Sequence, residues 1–276
     1  MTAGRAAIDA LSALGEQPDG AIDLAGAALL LAWAGRPEIP IAPYTRHVEN
    51  LVSAVRDYAG RDETLERHHE ALAQVIAWQL GYAGTTRVFD SLDGADLMRV
   101  IDRRSGLPVA LGILYIDVAR KLGWAACGIE FPGRFLVRLE ARGERLIIDP
   151  FERGVAVDPA GLRRRLKDIA GDDAELKPGY FEALSARDVL LRLQSNIRVR
   201  LAAKQNWRGA IDVVERMLLV APDRPELWRE HGVLQARLDE VPAAIASLEE
   251  SLRHGGPDPD RYETSALIQE LRQRLS

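Results

Sequence analysis

The sequence predicts an α+β fold that is mainly helical, in which a central helix packs on a small antiparallel sheet. Three observations predict it: helical spacing of apolar residues over the first 80 positions, three short alternating runs between residues 125 and 149, and a second helical region towards the end of the chain. We therefore expect an N-terminal helical segment at 1–90, a core at 91–180 and a C-terminal helical region at 185–276.

Three helices are predicted before residue 81. The stretch 21–34 is apolar nearly all round, which is typical of a helix at the centre of a core. A second helix is indicated by an apolar stripe with i, i+3, i+4, i+7 spacing, which consists of Val48, Leu51, Val52 and Val55. A third is predicted over 63–80, and Gly81 is well placed to end it.

The middle of the chain contains the predicted central helix and sheet. The helix covers 107–122, with Pro108 at a position that favours proline and Gly123 at its end. Strands are predicted at 125–131, around 134–140 and at 145–149, because apolar and polar residues alternate there. Residues 141–144 (ARGE) are typical of a hairpin turn between the last two strands.

The C-terminal region contains a weak internal repeat. Ala210 and Ala244 are 34 residues apart, as are Val214 and Leu248, and Gly232 stands where a small residue is needed in the first helix of a repeat. A period of 34 predicts about two tetratricopeptide-like units. A plain bundle of helical hairpins is the alternative. The stretch 170–179 (AGDDAELKPG) is the best linker candidate.

Composition excludes several classes of protein. The 276 residues are 47% hydrophobic and 28% charged, which excludes global disorder. Lys and Arg total 36 against 41 Asp and Glu, and the net charge of −5 disfavours non-specific nucleic-acid binding. The basic run Arg163–Arg165 with Lys167 is interpreted as a solvated helix face. The single cysteine excludes an intramolecular disulfide and a site with several thiolate ligands.

Signals for export or membrane insertion are missing from the sequence. Asp9 interrupts the stretch where the apolar core of a signal peptide would run. The most apolar segment, 24–34, is shorter than the roughly 20 residues that cross a bilayer. We expect a cytoplasmic protein that does not contact a membrane.

Several short motifs follow one another in a fixed order. They are LGYAG at 80–84, LMRVI at 97–101, RSGLP at 104–108, LG at 122–123, PG at 132–133 and IDPF at 148–151. Together with the C-terminal repeats, this order resembles the bacterial SirB family, in which a transglutaminase-like core is joined to a tetratricopeptide-like region. The resemblance covers nearly the whole chain.

The resemblance implies a degenerate catalytic triad. The wider superfamily uses a Cys at the start of the central helix, a His at the start of the second strand and an Asp at the end of the third. Here the matching positions hold Pro108 and Val109, then Arg134, then Asp149. Val and Pro cannot attack a carbonyl, and an Arg stays protonated and cannot act as a general base. The resemblance therefore implies a non-catalytic regulatory or interaction protein.

Arg134 and Asp149 support a local hypothesis. The predicted hairpin places both side chains on one face of the sheet, where a charge-assisted pair can form. The alternative is an arginine that binds an anion in a remnant of the cleft. We expect no cofactor, and a partner, an unidentified protein or peptide, on the C-terminal helices.

Cys127 is a candidate nucleophile outside the triad positions. It alternates with Ile129 and Phe131 on the apolar side of its strand, and a lone cysteine there is usually a small core residue. The alternative is a thiol hydrolase or acyltransferase in which Cys127 works with His47 or His69. The five histidines and the acidic residues show no metal-binding spacing, so we expect no metal site.

Overall fold

The computed structural model describes residues 3–255 and 258–274, and it confirms a mainly helical α+β fold. Within those residues, the α-helices are α1 (Ala3–Gly15), α2 (Leu24–Gly35), α3 (Ala42–Ala59), α4 (Leu65–Leu72), α5 (Leu97–Arg103), α6 (Pro108–Lys121), α7 (Pro159–Ala170), α8 (Ala186–Ala203), α9 (Trp207–Val220), α10 (Pro225–Arg237), α11 (Val241–His254) and α12 (Asp258–Gln273). The strands are β1 (Ala125–Phe131), β2 (Arg134–Ala141), β3 (Glu144–Asp149) and β4 (Val155–Ala156). None of the helices in this part of the chain combines the length and the apolar content needed to cross a bilayer.

The sheet is antiparallel with strand order β1-β2-β3-β4. The three predicted strands and the turn between the last two are confirmed. Arg142 and Gly143 both have positive φ, +52° and +84°, which is the backbone that a two-residue hairpin turn requires. The short fourth strand pairs with the end of β3 and carries no alternating pattern, so the sequence does not predict it.

The central helix α6 is buried along most of its length and packs against β1 and β2. Its close approach to the sheet depends on Gly112, where a Cβ atom would lie 2.4 Å from Cε1 of Phe135. Gly123, with φ +80°, ends the helical region and turns the chain into β1. The boundaries predicted from Pro108 and Gly123 are confirmed.

The N-terminal helices surround α6. The buried face of α3 contains the predicted stripe, and α2 is buried on all sides and contacts both α5 and α6. The third predicted helix begins as α4 but continues as a π-helical turn, Ala73–Gln79, before Gly81 ends it with φ +78°. The extent of that helix is therefore confirmed, and its last two turns are wider than an α-helix.

The chain forms two compact units, residues 18–193 and residues 1–17 with 194–276. This division differs from the expected segments 1–90, 91–180 and 185–276. Helix α1 contacts α9, and the packing is close because a Cβ atom on Gly15 would lie 2.3 Å from the Leu219 carbonyl oxygen. Most of the expected N-terminal segment instead surrounds α6. The residues 170–179 are not a free linker, since Ala174 and Leu176 pack against the apolar cluster beside β1.

The helices of the second unit pack as consecutive hairpins, α9 on α10, α10 on α11 and α11 on α12. Gly232 lies against α11, because a Cβ atom there would be 2.6 Å from Cγ of Leu248 and 2.9 Å from the Ala244 carbonyl oxygen. The small residue predicted at this position of the repeat is therefore required by packing.

A buried carboxylate joins α2 to α6. Asp117 is 2% exposed, its Oδ1 accepts a hydrogen bond from the Ala25 backbone N–H (3.0 Å), and its Oδ2 lies 2.9 Å from Nζ of Lys121. Lys121 also pairs with Asp23 at 2.9 Å. Burial, and then the neighbouring Asp23, raise the pKa of Asp117 to about 6.

This raised pKa predicts a pH-dependent stability. The folded state holds a proton on Asp117 that the unfolded state releases near pH 4, so the free energy of unfolding falls as pH rises from about 4 to 6, by up to about 3 kcal/mol. The pKa of Asp23 is lowered, so its own contribution changes below this window. Asp117→Asn cannot ionise and removes most of the fall. Urea unfolding of the wild type and of Asp117→Asn at pH 4, 5, 6 and 7 measures this fall in the free energy of unfolding. Asp57→Asn, on the exposed side of α3, is the control. Parallel pH profiles for wild type and Asp117→Asn would contradict the prediction.

Candidate functional site

The amino end of α6 carries no nucleophile. Pro108 and Val109 occupy its first two positions, Val109 is buried, and the backbone N–H of Leu107 donates to the Gly94 carbonyl (2.8 Å). Ser105 precedes the helix by three residues, and its hydroxyl lies 3.3 Å from that of Thr85. In the described part of the chain no imidazole is hydrogen-bonded to either hydroxyl.

Arg134 begins β2, where the resemblance places the histidine of the triad. Its Nε lies 3.7 Å from Oδ2 of Asp149, so the predicted ion pair is present, at the long end of the range. The same guanidinium lies 3.4 Å from Glu152 and stacks over the ring of Phe151, 4.8 Å from the ring centre. These contacts occupy Arg134, which argues against a free anion-binding role for it.

Asp149 ends β3 and is fully buried. Its Oδ1 accepts hydrogen bonds from the backbone N–H groups of Phe151 (3.0 Å) and Glu152 (3.4 Å), which begin a 3-10 turn, Pro150–Glu152. Its Oδ2 lies 2.5 Å from a guanidinium nitrogen of Arg165, and Arg165 also reaches Glu152 at 2.9 Å. We call Arg134, Asp149, Glu152 and Arg165 the arginine–carboxylate cluster.

Arg165 corrects the interpretation of the basic run as a solvated face. Helix α7 begins after Asp158, whose Oδ1 accepts from the Gly161 N–H at 2.7 Å, and it buries Leu162 and Leu166 against the sheet. Arg165 lies on that buried side, three residues after Leu162. The helical spacing of the two leucines was the available signal, because it separates Arg165 from its exposed neighbours. Glu152 is a further member of the cluster that the sequence does not predict.

The cluster affects how Asp149 could bind an imidazole. An aspartate that supports a catalytic histidine accepts a hydrogen bond from the imidazole. Oδ1 of Asp149 accepts from two backbone N–H groups and Oδ2 accepts from Arg165, so an imidazole would have to compete with the charged guanidinium for Oδ2. Burial, with a smaller effect from nearby Asp149, raises the pKa of Tyr115 well above its usual range, which moves that phenol further from ionisation at neutral pH.

Cys127 is half-buried and packs beside Ile129, Phe131 and Leu136, as its apolar position predicts. Burial raises the pKa of its thiol, which lowers the fraction of reactive thiolate near neutral pH. No hydrogen bond in the described residues joins its sulfur to an imidazole.

The two histidines considered as partners of Cys127 are engaged elsewhere. His47 Nε2 lies 2.8 Å from the Tyr82 hydroxyl, and His69 Nε2 lies 2.8 Å from the Gly154 carbonyl oxygen. Among residues 3–255 and 258–274, no three His, Cys, Asp or Glu side chains are grouped as metal ligands would be.

Comparison with known protein families identifies two regions of this chain. The family model described as the transglutaminase-like superfamily matches residues 42–195. The chain belongs to the transglutaminase-like superfamily. A tetratricopeptide repeat model matches residues 197–269, beyond the transglutaminase-like core, which confirms the repeat predicted from the 34-residue period.

The relatives of this transglutaminase-like chain are bacterial. A UPF0162 protein of Xylella fastidiosa is 29% identical over 85% of both chains, and one of Vibrio cholerae is 28% identical over 87% of this chain and 88% of its own. Protein SirB1 of Salmonella typhimurium is 24% identical over 77% of this chain and 79% of its own. The resemblance to the SirB family is confirmed. No solved structure gives a significant match.

The cluster predicts an order of stability effects. Arg165→Met removes the shortest pair and leaves the buried Asp149 less compensated, so we expect a loss of about 2–3 kcal/mol in the free energy of unfolding. Arg134→Met removes the longer pair with Asp149, a 3.4 Å contact with Glu152 and the stacking on Phe151, all made by a partly exposed side chain, and costs about 1 kcal/mol. Arg163→Met, on the exposed side of the same helix, is the control and changes stability by less than about 0.5 kcal/mol. Denaturant unfolding ranks the three, and a greater loss for Arg134→Met than for Arg165→Met would contradict this assignment.

Proposed function

We propose that the protein is a non-catalytic interaction or regulatory protein, in which a transglutaminase-like core serves as a scaffold and the C-terminal repeats bind a protein partner. The observation that supports the proposal is the bonding of buried Asp149 to Arg165 and to two backbone N–H groups, at the position that the resemblance implies for the superfamily's acid. Val109 and Arg134 at the other two positions offer neither a nucleophile nor a base. The cytoplasm, expected from the sequence, is the proposed location.

The partner surface we propose lies on alternate helices of the repeats. Arg198 on α8 pairs with Glu230 on α10, and Arg229 on α10 pairs with Glu263 on α12 at 2.6 Å. These two ion pairs connect the first helices of consecutive hairpins, so α8, α10 and α12 form one row. Rows of this kind build the binding surfaces of helical repeat proteins.

Two exposed apolar side chains project from this row. Val199 is 55% exposed on α8 and Tyr262 is 79% exposed on α12. Alternate helices of consecutive hairpins run in the same direction. Val199 follows Arg198 and Tyr262 precedes Glu263, so each is rotated by about 100° around its helix axis from the ion-paired residue. Because the helices are parallel and the two ion pairs point towards α10 from opposite sides, both rotations lead to the same side of the row. We call Val199 and Tyr262, with the two ion pairs, the repeat face, and a partner that buries them gains apolar contact.

A capture experiment with the full chain tests the repeat face. The bait is wild-type protein, and a partner is defined as a protein recovered from the source cells that also binds after purification. The double variant Val199→Ser/Tyr262→Ser is expected to weaken that purified complex at least tenfold, because two apolar contacts of roughly 1 kcal/mol or more are lost. Ile169→Ser, which changes an equally exposed residue of the core (57%), is the matched control. Equal weakening by both variants, or by neither, would remove the repeat face from the proposal.

Thiol chemistry tests the alternative function, a hydrolase or acyltransferase that uses Cys127. Because burial raises the pKa of that thiol, we expect a disulfide reagent to label folded protein at pH 7.5 at least about tenfold more slowly than it labels the urea-unfolded chain. Cys127→Ser then changes no acyl-transfer or ester-hydrolysis rate of the purified protein. Fast labelling, together with an activity that Cys127→Ser abolishes, would establish the alternative instead.

A further inference from the structure

A cavity at the start of α3 contains polar groups that the proposed function does not use. It lies in the unit formed by residues 18–193, between the segment after α2, the first turns of α3 and the end of α5. Tyr44, His47, Asp102 and Arg104 form its polar lining, and Ile39 and Pro43 are among the apolar residues that complete it.

A hydrogen-bonded group holds Arg104 at this cavity. One guanidinium nitrogen lies 2.6 Å from Nε2 of His47 and also donates to the hydroxyl of Tyr82, which is fully buried. The guanidinium carbon stacks 4.8 Å from the centre of the Tyr82 ring. Arg104 itself has left-handed backbone, φ +56° and ψ 24°, a conformation that residues other than glycine seldom adopt. The side chain is therefore fixed by three separate features.

The charge of Arg104 has no partner of opposite sign. Its bonded neighbours, the His47 ring and the Tyr82 hydroxyl, are neutral acceptors, and no carboxylate in the described residues pairs with it. Burial, and then the charge of Arg104, lower the pKa of His47, so that ring is neutral near pH 7. A fixed guanidinium at the wall of a cavity, with no carboxylate paired directly to it, is an arrangement that binds an anion.

The other groups of the cavity select among anions. Asp102 lines the same wall, and its Oδ2 accepts a hydrogen bond from the Tyr44 hydroxyl at 3.1 Å. The carboxylate of Asp102 repels a dianion more strongly than a monoanion. Ile39, Pro43 and Ile101 offer apolar surface but no hydrogen-bond donors from their side chains. A ligand that fits has one negative charge at one end and a small apolar body at the other.

We propose that this cavity binds an organic monocarboxylate with a small apolar body, and that Arg104 holds its carboxylate. The site lies in the core rather than on the repeat face, so it stands independently of the proposed docking function. Its ligand would add a small-molecule input to the protein-binding surface proposed above.

Titration calorimetry of the full chain tests the proposal with three probes. These are 3-methylbutanoate, acetate, which has the carboxylate without the apolar body, and inorganic phosphate, which is largely a dianion at pH 7.5. We expect saturable binding of 3-methylbutanoate, at least threefold weaker binding of acetate, and weaker binding still of phosphate. Absence of saturable 3-methylbutanoate binding at millimolar concentrations, or tighter binding of phosphate, would overturn the proposal.

Three variants separate binding from a purely structural role. Arg104→Gln weakens 3-methylbutanoate binding at least tenfold. Arg103→Gln changes the preceding residue, which pairs with Asp93 at 2.6 Å, and leaves the binding unchanged. Asp102→Asn strengthens binding of all three anions, because it removes the repelling charge, and this gain does not depend on the stability of the Arg104 variant. Unchanged binding in Arg104→Gln, or weaker binding in Asp102→Asn, would contradict the assigned roles.

Discussion

The ion pair between Asp149 and Arg165 is the constraint around which the sheet end of the core is organised. It joins the last residue of β3 to α7, and through Oδ1 of the same carboxylate it also begins the 3-10 turn that leads to β4. A fully buried carboxylate is costly unless its charge is compensated and its oxygens are bonded. Here two arginines and two backbone N–H groups meet both requirements, so strand, turn and helix are fixed by one side chain.

Close backbone packing complements this ionic constraint. The approach of α6 to the sheet at Gly112 leaves no room for a larger residue opposite Phe135. The axis of α6 therefore lies close to β1 and β2. Just before its amino end, the Leu107 N–H is hydrogen-bonded to the Gly94 carbonyl. Val109 at that end is buried, which suits an apolar side chain and would disfavour an ionised thiolate.

The sequence predicts those features that depend on neighbouring residues. The strands, the Arg142–Gly143 turn and the limits of α6 follow from alternation and from residues with special backbone preferences. The pairing of Arg134 with Asp149 also follows, because hairpin register places them on one face. Arg165 was missed because its partner is 16 residues away on a different element, and no local pattern connects them.

Contacts between residues far apart in the sequence also explain the other differences between the predicted and the observed structure. Helix α1 belongs with α9, more than 190 residues away in the chain, because its apolar face is complementary to that helix rather than to its sequence neighbours. The group formed by His47, Tyr82 and Arg104 comes from three separate segments. The left-handed backbone of Arg104 is a local feature of this group, but the sequence does not predict it because the residue is not a glycine.

The permanent charge of Arg134 is physically consistent with the rest of the cluster. Asp149 and Glu152 bring two negative charges to one place, and a neutral imidazole would leave one of them uncompensated. Two arginines balance two carboxylates without regard to pH, because guanidinium groups remain protonated. An imidazole at position 134 would have to compete with the charged guanidinium of Arg165 for Oδ2 of Asp149. Release of that oxygen from α7 would cost the stability which the ion pair provides.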